Sequence, residues 1–115
     1  MNENALESTA AELRQAITDF LVPLQTTRVV NKDAFARLFT HAQELMPILK
    51  EHELVPKSLL NELYRVPLVI LAEAPYFKDE SEQLDEMAHK IGVCFSRILK
   101  GEVPEDRIPG VPRLM

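Results

Sequence analysis

The chain has 115 residues, enough for one domain with one real core. With 46% hydrophobic and 27% charged residues it reads as globular rather than disordered, and 3 Gly, 5 Phe, 2 Tyr and no Trp argue against a β-sandwich or barrel. A net charge of −5 without a basic stripe disfavours a nucleic-acid or anionic-membrane binder, and the single cysteine excludes an internal disulfide.

The first helical pattern is a seam of Leu6, Ala10, Leu13, Ile17, Phe20 and Leu24, spaced by four and three, with Glu7, Arg14, Gln15 and Thr18 turned away. Pro23 is expected near its end. The β-branched run around Thr26–Val30 breaks the pattern. Asn31 is then placed to cap a second helix, with Asp33 in its first turn complementing the dipole. Phe35, Leu38, Phe39, Ala42, Leu45, Met46 and Leu49 form the apolar face of that helix. Pro47 falls on its solvent side, where a kink is tolerable.

Pro56 suits the start of a third helix. Leu59, Leu60, Leu63, Val66, Ile70 and Leu71 are expected to point inward, and Ser58, Glu62, Arg65, Val69 and Glu73 outward. Inside this helix lies the apolar run Val66–Ala72, far shorter than the ~20 residues a membrane crossing needs. It contains Pro67 among positions read as buried, where a proline costs about 3 kcal/mol in an ideal helix. One kinked helix is expected rather than two.

Pro75-Tyr76-Phe77 stops the third helix, and Asp79 with Glu82 reads as a capping box for a fourth. The inner face of the fourth helix is Leu84, Met87, Ala88, Ile91, Cys94, Phe95 and Ile98, and Gly101 is a good C′ residue. Beyond it, Pro104, Pro109 and Pro112 rule out a helix. Three-residue spacing places Ile108, Val111 and Leu114 along one side of an extended, polyproline-like arm. The expected fold is all-α: an up-and-down four-helix bundle over residues 1–101, with a proline-rich C-terminal arm over 102–115.

Chemistry is sparse. Glu86-x-x-His89 has the spacing di-iron bundles use, but they need a second such unit, and residues 38 and 49, three before His41 and His52, are leucines. His41 and Glu44 read as a solvated pair and Cys94 as a core thiol. No nucleophile elbow or phosphate-cradling glycine loop is present in the sequence. The acidic N-terminus lacks a signal-peptide pattern, so the cytoplasm is the expected address.

What the bundle leaves over is Leu68 and Val69, on a face that charged residues mark as outside. They imply a covered surface, whether by the chain's own arm or first helix, a second copy, or a different protein. The expected function is therefore non-enzymatic: a small cytoplasmic adaptor, regulator, inhibitor or immunity-type factor that binds protein and self-associates as a homodimer. Leu68, Val69, Ile108, Val111 and Leu114 supply the apolar contacts, and Glu62, Arg65 and Arg113 the rim. The alternative is a small-molecule or metal-binding bundle, with a pocket opened at Pro67 and lined by Phe35, Phe39, Leu63 and His89.

Overall fold

A computed structural model describes residues 3–52 and 54–101, with side chains from residue 5 onward. The described part is a bundle of four helices: α1 (Glu3–Thr26), α2 (Lys32–Lys50), α3 (Lys57–Glu73) and α4 (Ser81–Leu99), with a 3-10 turn at Ala74–Tyr76. The arm expected over 102–115 lies outside the described residues.

Helix ends follow from local chemistry. The Pro23 carbonyl accepts from the backbone N–H of both Thr27 and Val29 at 3.1 Å, and between them Arg28 takes a left-handed φ of 59° that turns the chain out of α1. Pro23 itself lies inside α1, three residues before its end. Asn31 caps α2 as expected, its side chain accepting from the Ala34 N–H at 3.0 Å. Pro56 stands at the N-cap of α3 with φ −57°. Gly101, at φ 72°, ends the turn after α4 in the conformation glycine adopts without strain.

The expected capping box is not made. Helix α4 begins at Ser81 with Glu80 at its N-cap, and no side chain caps it. The Glu80 carbonyl takes the first backbone bond, from the Leu84 N–H at 2.9 Å, so the helix starts past Asp79. Helix α3 runs unbroken through Pro67, as the sequence suggests. Pro67 is half-buried, however, rather than set among fully buried residues. Its missing donor leaves the Leu63 carbonyl without its helical partner on a flank that is partly open.

Two helical hairpins make the core. Helix α1 packs chiefly on α2 and α3 chiefly on α4; the hairpins then join through α2 on α4 and α1 on α3. Leu13, Ile17, Phe20 and Leu24 of α1, and Leu38, Leu45 and Met46 of α2, are almost completely withdrawn from solvent. Phe20 and Phe35 meet at 5.3 Å between ring centroids, and Phe35 stacks on Phe39 at 6.3 Å. Phe77, which follows the 3-10 turn, is also buried and adds to the core.

Candidate protein-binding surface

Helix α3 carries two apolar faces. Leu59, Leu63, Val66 and Ile70 are buried to 1% exposure or less and hold the helix on the bundle. The second face is Leu60, Tyr64, Pro67 and Leu71, spaced four, three and four, with Leu68 beside it. That is the spacing of a helix–helix seam. Tyr64, Leu68 and Leu71 keep 54%, 50% and 50% of their surface exposed, while Leu60 and Pro67 are half-buried. The Tyr64 ring leans on Phe95 of α4, with centroids 6.0 Å apart, which fixes the upper edge of the stripe against the neighbouring helix.

The residues singled out from the sequence divide. Leu68 is exposed on this stripe. Val69, expected outside, is half-buried and packed against the core. Leu71, expected inside, is half exposed. Each residue advances about 100°, so Val69 and Leu71 stand equally far from Ile70 on its two sides, and the helices packed on the flanks of α3 decide which is covered. Arg65, three residues before Leu68, shares the edge of the stripe. Glu62 is two positions from both Leu60 and Tyr64, about 200° round, and so belongs to the opposite flank. The Arg65 and Glu62 side chains approach to 3.8 Å. Ile108, Val111, Arg113 and Leu114 lie outside the described residues. Tyr64 was missed by reading charges to find the outside; the four-three-four spacing from Leu60 carried the signal.

The pocket considered as an alternative does not assemble. Phe35 and Leu63 are core, whereas His89 is exposed and shares a surface depression with Asp85, Glu86 and Lys90. Lys90 covers the Phe39 ring, its Nζ 5.0 Å from the centroid. Among the described residues, no three His, Cys, Asp or Glu side chains group so as to hold a metal ion. His41 Nδ1 is 2.9 Å from Glu44 Oε1 and 3.8 Å from Glu12 Oε1, a surface cluster at the α1–α2 seam. His52 donates from Nδ1 to the Ile48 carbonyl at 2.9 Å and so closes the end of α2.

Cys94 is buried, with its Sγ 4.0 Å from Met46 Sδ across the α2–α4 contact. Burial pushes its thiol up to about 11, against a smaller opposing pull from Arg97. A thiol so placed stays protonated near neutral pH and is a poor nucleophile. Among the described residues no helix is long and apolar enough to cross a membrane. No protein-family model matches the chain, and no curated protein or solved structure matches it either.

Proposed function

We propose that this chain is a binding protein rather than an enzyme, and that it pairs with a second copy of itself through the outer stripe of α3. The carrying observation is the second apolar seam, Leu60–Tyr64–Pro67–Leu71 with Leu68, left half open on a helix whose first seam is fully used. A stripe along one helix is self-complementary about a two-fold axis, so the same side chains serve both partners. Tyr64 brings the aromatic body and polar tip favoured at interfaces, and Arg65 a rim cation. A small cytoplasmic adaptor, regulator, inhibitor or immunity-type factor is the class this reading fits.

Sedimentation or light scattering over roughly micromolar to near-millimolar concentration tests it. Wild type should move from monomer to dimer mass, and Leu68→Glu should stay monomeric with an unchanged helical circular-dichroism spectrum. A wild-type chain that remains monomeric throughout that range removes the self-association reading.

A further inference from the structure

Where α2 hands over to α3, the end of the bundle carries an open groove of about 350 Å³, in which Lys50 and His52 stand beside apolar side chains. Leu54, Val55 and Leu60 line it from one side, and Ile98 and Leu99 from the last turn of α4. Leu54 is 88% exposed, more than any other large apolar side chain among the described residues, and Leu99 is 59% exposed. Gly101 also lines this groove, so the chain that follows α4 starts at its rim. The left-handed φ of Gly101 turns that chain off the α4 axis.

We propose that residues 102–115 fold back from Gly101 and seat their apolar side chains in this groove of the same chain. Val103 is two residues past Gly101, about 6 Å of extended backbone, and Ile108 is seven, about 22 Å. The first reaches Leu99 and Leu54, and the second has length to cross the groove toward Val55, leaving the α3 stripe beyond Leu60 open. Pro104, Pro109 and Pro112 restrict the free chain beforehand, which lowers the entropy lost on docking. A tether of this length holds the arm at an effective concentration of about millimolar, which favours its own groove over a neighbour's.

The inference goes beyond self-association and does not depend on it. Methyl NMR on the isotopically labelled full chain tests it, with amide hydrogen exchange alongside. In wild type, Leu54 and Leu99 methyls should show cross-peaks to Val103 and Ile108, and arm amides should exchange at least about tenfold slower than an unstructured chain. The double variant Val103→Asp, Ile108→Asp should lose both signals while helix amides keep their protection. Arm amides exchanging at unstructured rates, with no such cross-peaks, overturn the proposal. So do cross-peaks that appear only between differently labelled chains in a mixed sample. Light scattering on the same samples reads assembly separately: arm contacts in a monomer sink only the dimer, and a dimer without arm contacts sinks only the arm.

Discussion

The Arg28 guanidinium is paired with the Glu73 carboxylate, joining the α1–α2 connection to the last residue of α3 across 45 positions of sequence. The same guanidinium lies 4.5 Å from the centroid of the Tyr76 ring. One side chain thus ties the first hairpin to the end of α3, and it does so from a residue held at positive φ, which costs a non-glycine residue about 1–2 kcal/mol.

That cost and that contact can be separated by substitution. Arg28→Ala keeps the left-handed backbone and loses the clasp, and should destabilise by about 1 kcal/mol. Arg28→Gly loses the clasp but relieves the strain, and should lie close to wild type. Urea unfolding of the three proteins measures both; an alanine variant as stable as the glycine variant contradicts the strain argument.

The two neighbours Leu68 and Val69 should behave in opposite ways. Leu68→Glu replaces a half-exposed side chain and should change stability by no more than about 0.5 kcal/mol in the monomer. Val69→Glu drives a carboxylate toward the core and should cost about 2 kcal/mol or more. Thermal melts at low protein concentration distinguish them.

Cys94 makes stability fall in alkali. Its thiol is raised to about 11 in the folded chain from an ordinary 9.0, so above pH 9 the unfolded state releases a proton that the folded state still holds. The contribution is intact below pH 9 and is lost progressively as pH rises from 9 to 11, by about 1–3 kcal/mol. Cys94→Ala should flatten that part of the stability–pH curve relative to wild type. Equal slopes for the two proteins would show that the thiol is not held protonated.

Helix caps give a paired test. Asn31→Ala removes a bond seen at 3.0 Å and should cost about 1 kcal/mol. Asp79→Ala should leave stability unchanged within a few tenths of a kcal/mol, because α4 starts beyond it and its side chain is exposed. Chemical denaturation reads both.

Pro47 and Pro67 each remove a helical hydrogen bond from the interior of a helix. Pro47 is exposed, so Pro47→Ala should stabilise by about 1 kcal/mol or more. Pro67 is half-buried, so the gain from Pro67→Ala is smaller by the packing of its ring. A Pro67→Ala variant less stable than wild type would mean that the ring's contacts outweigh the missing bond.

By itself the sequence determined four helices, their seams and most of their ends. The seams Leu13–Ile17–Phe20–Leu24 and Leu38–Ala42–Leu45–Leu49 are buried as their spacing requires, because an amphipathic helix has one way to hide its apolar face. Asn31 and Gly101 act as read, since capping is a matter of a few adjacent residues. Only the tertiary structure decided where the outside of α3 lies. That helix is apolar around most of its circumference, so its own pattern leaves the buried sector open. The choice falls to the helices packed beside it, with α1 on one flank and α4 on the other. They cover Val69 and leave Tyr64, Leu68 and Leu71 in solvent. Charges at Glu62 and Glu73 misled the reading because both lie half-buried on the flank opposite the stripe, and Glu73 is held there by Arg28 from a loop 45 residues away. Local spacing fixes a helix and its seam; which of two seams is spent on the core is a property of the neighbours.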